Sequence, residues 1–278
     1  MGHRILAICA AVVGCAIGAT TAASAGGPSP GIGQGQQSLT RGNERYISVP
    51  ARGRTSVKVI SRNDGRVIRF MNLEGTWGIP VVAFDGTTEG FLPDGRTLLL
   101  AQPLYSGQTL RKSTSFALVD IRRMKLLRTI HMRGAFAFDA LSPDGRYLYL
   151  VEYMSSGSPL YRVRAYDLAK GRLLAKIVAD RRSWETGMQG SPVSRLWRDG
   201  WAYTLYGGGA RPFIHALDTR HVEAVCIDMP WQTSPNRLFD YRLRTDGHGH
   251  LVVRGPHGRA LVVVDRHTFR LLSFVRNP

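Results

Sequence analysis

From Arg45 onward the chain is written as short apolar and aromatic runs cut by Gly/Asp turns, with no convincing amphipathic helix between them. The clearest unit is SPDGRYLYL, residues 142–150. Pro143 presets φ, Asp144 bonds its own backbone, and Gly145 takes the permissive conformation, so the triplet predicts a tight turn. The residues that follow, rich in Tyr and Leu, predict a strand. An earlier copy, LPDGRTLLL, stands at 92–100, and weaker copies, RDGWAYTL and TDGHGHLVV, at 198–205 and 245–253.

A second hairpin type alternates with the first. A strand ends on an apolar residue followed by Asp, turns, and resumes as an apolar strand. It reads FALVDIRRMKLLRTI at 116–130, VRAYDLAKGRLLAKI at 163–177, FIHALDTRHVEAVCI at 213–227 and ALVVVDRHTFRLLSF at 260–274, with SVKVISRNDGRVIRF at 56–70 as an earlier variant. Its markers Ser61, Asp120, Asp167, Asp218 and Asp265 are 59, 47, 51 and 47 residues apart. The first-type turns at Asp94, Asp144, Asp199 and Asp246 are 50, 55 and 47 apart, and Asn43 supplies a fifth, 51 before Asp94.

Two independent markers sharing one period near 50 predict a repeat architecture. Four short strands per period make the fold class all-β, a single β-propeller of five four-stranded blades. The expected blades are 37–72, 79–132, 136–178, 191–228 and 239–276, with the first and last meeting to close the ring. SPDGRYLYL followed by VRAYDLAKGRLLAKI resembles the YVTN-type and TolB-like bacterial propellers, and more broadly the WD-repeat-like superfamily. That resemblance covers nearly all of 45–276. It implies a propeller and no particular activity, since such propellers serve as binding scaffolds, enzyme frames and envelope proteins alike. Many YVTN-type propellers have seven blades of about 40 residues; the present period gives five longer ones.

The N-terminus changes the address. A positive start at residues 1–4, an apolar stretch at 5–17 and Ala23-Ser24-Ala25 read as a secretory signal peptide, residues 1–25, cleaved before Gly26. The alternative is Val12-Val13-Gly14-Cys15 as a lipobox, which anchors the protein through Cys15. Residues 26–37, rich in Gly, Pro and Gln, read as a flexible linker to a propeller domain at 38–278. Cleavage after Ala25 leaves Cys226 as the sole cysteine, so the exported fold rests on its core rather than on an internal disulfide.

Charge bears on partners. The formal net charge is +17 at pH 7, of which the signal segment carries only Arg4. Such a balance predicts anionic company. Export and the lack of any nucleic-acid recognition motif exclude DNA or RNA, leaving a protein or an anionic cell-wall polymer. In a propeller the a–b and c–d turns share one face. Arg122, Arg123, Lys170 and Arg172 fall on c–d turns there and form the candidate polymer-binding group.

The opposite face carries the longer loops, where binding usually sits. Trp77, Phe136, Trp184 and Trp231 fall on or beside its d–a connections. Three inner strands open with the same pair, Phe84-Asp85, Phe138-Asp139 and Phe239-Asp240, so Asp85, Asp139 and Asp240, with Glu185, are expected at the channel mouth. Aromatics above acids suit a sugar or a cationic or hydrogen-bonding small ligand; capping of loop backbone by Asp and packing by Phe is the competing account. No GxSxG elbow, Walker loop, HExxH, CxxC or EF-hand loop is present, and His248 with His250 makes only two ligands. No metal or cofactor is therefore expected. The sequence reads as a secreted, non-enzymatic binding or scaffold propeller. The alternative is a glycoside hydrolase-like enzyme or lectin using those carboxylates, since some five-bladed propellers are glycoside hydrolases.

Overall fold

The computed structural model describes residues 38–106, 109–154, 160–180, 188–207, 211–231, 237 and 239–275. The first sheet is β1 (Ser38–Arg41), β2 (Glu44–Ala51), β3 (Arg54–Ser61) and β4 (Val67–Glu74), paired in that order. The second contains β5 (Thr97–Ala101), β8 (Ser113–Asp120) and β9 (Lys125–Arg133), with the small hairpin β6 (Tyr105–Ser106) and β7 (Thr109–Leu110) between its b and c strands. The third is β10 (Ala135–Leu141), β11 (Tyr147–Tyr153), β12 (Tyr161–Asp167) and β13 (Arg172–Val178). The fourth is β14 (Ser191–Arg198), β15 (Trp201–Gly207), β16 (Phe213–Asp218) and β17 (Glu223–Asp228). The fifth is β18 (Arg242–Thr245), β19 (Leu251–Arg254), β20 (Ala260–Val264) and β21 (Leu271–Phe274). All strand pairings are antiparallel and join successive strands, except that β5 pairs with β8 around the small hairpin, so the molecule is a five-bladed β-propeller, and the blade bounds follow the sequence period closely.

The recurrent Asp is explained by the turns it caps. Asp94 Oδ1 accepts from the Arg96 and Thr97 amides, Asp144 Oδ1 from Arg146, and Asp246 Oδ1 from His248 and His250. At the second turn type, Asp120, Asp167, Asp218 and Asp265 do the same for the backbone two or three residues on. Each carboxylate satisfies amides that the tight turn would otherwise leave without a partner.

Between consecutive blades lies a shared apolar layer. Strand β5 (TLLLA) is buried along its whole length because both its faces are covered. Leu98 and Leu100 pack with Tyr46, Val57 and Val59 of blade 1, while Leu99 joins Phe138, Leu148 and Leu150 of blade 3. This is the two-residue alternation of a strand read on two sides at once. Tyr149 and Val163 meet Ala202 and Leu217 between blades 3 and 4, and Leu205 and Ile214 meet Leu243 and Val253 between blades 4 and 5. Blades 5 and 1 share no such layer among the described residues. Phe70 on β4 is 61% exposed and Phe274 on β21 47%, so the expected closing contact is not an apolar core like the other four.

Blade 2 departs from the four-stranded plan. Its innermost position is held by isolated bridges, Gly78 to Ala101 and Phe91 to Leu98, and the chain between them leaves the sheet. Residues 79–89 form a narrow excursion closed by Val81 paired with Thr88 and by the Val82 amide donating to Thr87 O at 2.9 Å. The excursion rejoins the blade at Gly90, whose φ is +138° and where a Cβ would stand 2.8 Å from Leu99 O. Only glycine fits that return.

Candidate functional site

The tip of the excursion crosses the central channel and docks on β14 of blade 4. The Phe84 and Asp85 amides donate to Pro192 O and Val193 O at 2.8 and 3.0 Å. Asp85 Oδ2 in turn accepts from Ser194 Oγ at 2.7 Å and the Arg195 amide at 3.0 Å. Its other oxygen accepts from the Thr87 amide and hydroxyl. Burial works against the Asp85 anion, but these hydrogen bonds outweigh it and hold the carboxyl below its usual range.

Behind the tip, Arg195 is 1% exposed and spends its guanidinium on the channel interior. Nε donates to Glu89 Oε1 at 2.9 Å, Nη1 to Asp139 Oδ1 at 3.0 Å and Thr204 Oγ1 at 2.6 Å, and Nη2 to Asp139 O at 2.6 Å. Blades 2, 3 and 4 are thereby tied at one guanidinium. Burial disfavours that charge, yet Glu89 and Asp139 more than offset it and keep Arg195 protonated. For Glu89 burial dominates over the pull of Arg195, and its carboxyl is raised. Asp139 sits at a register shift in β10, and its Oδ2 is buried with no hydrogen-bond partner. The polar row continues outward along blade 4 through register-paired Thr204, His215 and Cys226, whose amide donates to Asp180 Oδ2 at 2.8 Å. His215 is 2% exposed, and burial pushes it down to about 4.

A cavity of about 420 Å³ lies in the channel, lined from four blades. Leu39 comes from blade 1, Thr87, Thr88, Glu89, Phe91 and Pro93 from blade 2, Phe138, Leu141, Ser142 and Pro143 from blade 3, and Arg195 and Trp197 from blade 4. Pro93, Ser142, Pro143 and Trp197 lie at the a–b turns, so the cavity adjoins the turn face, while the docked tip of the excursion lies toward the opposite end. Its volume falls in the range of small-molecule sites and is almost three times the ~150 Å³ that accommodates one benzene ring.

The sequence-predicted residues divide accordingly. Asp85 and Asp139 converge in the channel as expected, but as partners of β14 and Arg195. Asp240 stays apart in an exposed turn before β18, and only its neighbour Phe239 reaches the excursion, with its ring 5.3 Å from that of Phe84. Phe138-Asp139 lies within β10, and Phe84-Asp85 at the excursion tip, so neither pair opens an inner strand as expected. Trp77, Phe136 and Trp231 are 7%, 1% and 6% exposed, which makes them core residues instead of a rim. The reason is local for the first two. Thr55 Oγ1 donates to Gly75 O and accepts the Trp77 amide, and Thr114 Oγ1 does the same for Gly134 O and Phe136, tucking each ring into the sheet. Trp184 and Glu185 lie outside the described residues. Arg122, Arg123 and Lys170 are exposed on c–d turns and Arg172 at the first position of β13, on the face that the cavity adjoins. Glu89, Arg195 and Trp197 were not among the sequence candidates. The one signal for the excursion was the 59-residue interval, the longest in its series.

No protein-family model and no curated protein matches the chain. Among solved structures it is similar to dihydro-heme d1 dehydrogenase NirN in complex with DHE, at 14% identity and a TM-score of 0.51, over 89% of this chain and 48% of that one. The chain thus spans about half of that protein's length. It is also similar to the Dos1 propeller (12% identity, TM-score 0.48, 84% and 56% covered) and to TolB from Acinetobacter baumannii (18%, 0.42, 69% and 42%). At these identities the likeness concerns the fold alone.

Proposed function

We propose that the protein is an exported, non-enzymatic binding module whose ligand enters the channel cavity from the turn face. The cavity carries this reading: four blades line one preformed, largely apolar space with a few polar groups at its floor, the usual composition of a binding site. A glycosidase needs two carboxylates facing its substrate. Among the lining residues only Glu89 brings one, while Asp85 and Asp139 are spent on β14 and Arg195. The exposed Arg122, Arg123, Lys170 and Arg172 then give the same face an attraction for an anionic envelope polymer or an acidic protein.

Fluorescence of Trp197, 40% exposed at the cavity, reports occupancy. A fragment set titrated against wild type and Trp197→Phe should quench only the wild-type signal assigned to that residue. Glycoside turnover abolished by Glu89→Gln would replace the binder reading with an enzyme. The polymer component predicts retention on anionic cell-wall polymer that weakens with salt and with Ser at the four basic positions; retention indifferent to both would remove it. Export predicts an intact mass beginning at Gly26, and a lipid-modified Cys15 start would move the protein onto the membrane.

A further inference from the structure

If the cavity binds, its inventory of donors and acceptors restricts what it takes. The hydroxyls that line it are spent: Ser142 Oγ donates to Asp144, Thr87 Oγ1 to Asp85, and Thr88 Oγ1 to Ser38 O. Arg195 is equally committed, with four hydrogen bonds at 1% exposure, so the one cation of the lining is no anion site. Apart from the Trp197 indole N–H, the side-chain group that is left is an acceptor. Glu89 uses Oε1 on Arg195 and remains 19% exposed, and it is the remaining charged group of the lining. Two carboxyl groups, Glu89 and Asp139, share one guanidinium behind the cavity, and Asp139 Oδ2 accepts no hydrogen bond. The walls are Phe91, Phe138, Trp197, Leu39 and Leu141, and aromatic faces attract cations. Phe91 already carries one, the Arg41 guanidinium 5.6 Å from its ring centre.

We propose that the cavity takes an ammonium head on an apolar stem, with the head held by the Glu89 carboxylate and the stem between the aromatic and leucine walls. The raised carboxyl of Glu89 fits this, because an arriving cation offsets the burial that disfavours its charged form. The inference rests on the binding reading above, and three probes with one body and different heads separate the two. Phenethylamine, 2-phenylethanol and 3-phenylpropionate are titrated by calorimetry into the purified protein at pH 7. The amine should bind about 10- to 100-fold tighter than the alcohol, the usual worth of a charge-assisted hydrogen bond, with the acid weakest. Glu89→Gln should erase that preference and leave alcohol binding in place.

Equal binding of amine and alcohol, or a preference that survives Glu89→Gln, overturns the ammonium inference and keeps the cavity as a site. Failure of all three probes overturns both. Should Glu89→Gln not fold, the wild type carries the test: amine affinity must fall as pH is lowered through the Glu89 titration while alcohol affinity holds. Nα-acetyl-lysine amide serves as a fourth probe for the source. Binding matched to phenethylamine identifies an amine-bearing side chain of a partner, and binding of phenethylamine alone identifies a free aryl amine.

Discussion

Replacing Arg195 by Met isolates the cost of the buried charge cluster. The side chain is 1% exposed and makes four hydrogen bonds, to Glu89, Thr204 and twice to Asp139. Methionine fills similar length but leaves Asp139, 4% exposed, and Glu89, 19% exposed, facing each other with no cation between them. Removing one partner of a buried pair costs about 3–5 kcal/mol, most of it the penalty on the charges left behind. Urea unfolding followed by intrinsic fluorescence should show the midpoint falling at an unchanged slope, since the exposed surface stays the same. The origin of the loss is testable by chemistry. Arg195→Met combined with Glu89→Gln and Asp139→Asn removes both orphaned anions and should recover most of the deficit. Acid should help the single variant for the same reason, because the Glu89 carboxyl, raised by burial, is neutralised as pH falls and one of the two facing charges is lost. A deficit below about 1 kcal/mol, or one that persists in the triple variant, would refute this account of the channel.

His215 gives a second, opposite pH signature. Its folded value of about 4 lies below the unfolded 6.5, so nothing is lost above pH 6.5, and stability drains as pH falls from there toward 4, by about 3 kcal/mol in all at 1.36 kcal/mol per pH unit. Urea midpoints across that window should lose this component in His215→Gln, and an identical slope in both proteins would count against it. Thr114→Val strands the buried Phe136 amide and Gly134 carbonyl and should cost about 1–3 kcal/mol by thermal or urea unfolding, whereas a neutral result would mean another group satisfies them. Asp85→Ala should release the tip of the excursion, seen as faster hydrogen exchange across residues 80–89 with the β11 amides still protected; unchanged exchange would show that backbone pairing to β14 suffices.

The repeat was readable because one residue type does the same local job in four of the five blades. Aspartate two or three positions before a turn amide is a short-range arrangement, and short-range arrangements leave a periodic trace in sequence. The channel left no such trace. Asp85 meets Ser194 at a separation of 109 positions, and Arg195 meets Glu89 at 106 and Asp139 at 56, so no spacing announces them. The aromatic residues misled for a related reason. Trp77 and Phe136 sit beside loop glycines and look like loop residues, yet a threonine about 20 positions earlier pulls each into the core. Sequence order placed them on the correct connection; the threonine hydroxyl decided which way they turned.

A ring of similar blades is close to degenerate, since each sheet fits its neighbours nearly as well as another would. The excursion from blade 2 removes that ambiguity. It is a spoke of fixed reach, and its tip takes amide and carbonyl partners from the inner strand two blades onward. A chain that paired its sheets in a shifted order would present the wrong edge to Asp85 and leave Arg195 without its anions, so a mis-assembled ring is penalised where it is hardest to hide. The spoke also sets a sequence of events. Its partners lie on β14, about 110 residues later in the chain, which makes docking a long-range step that cannot precede that strand.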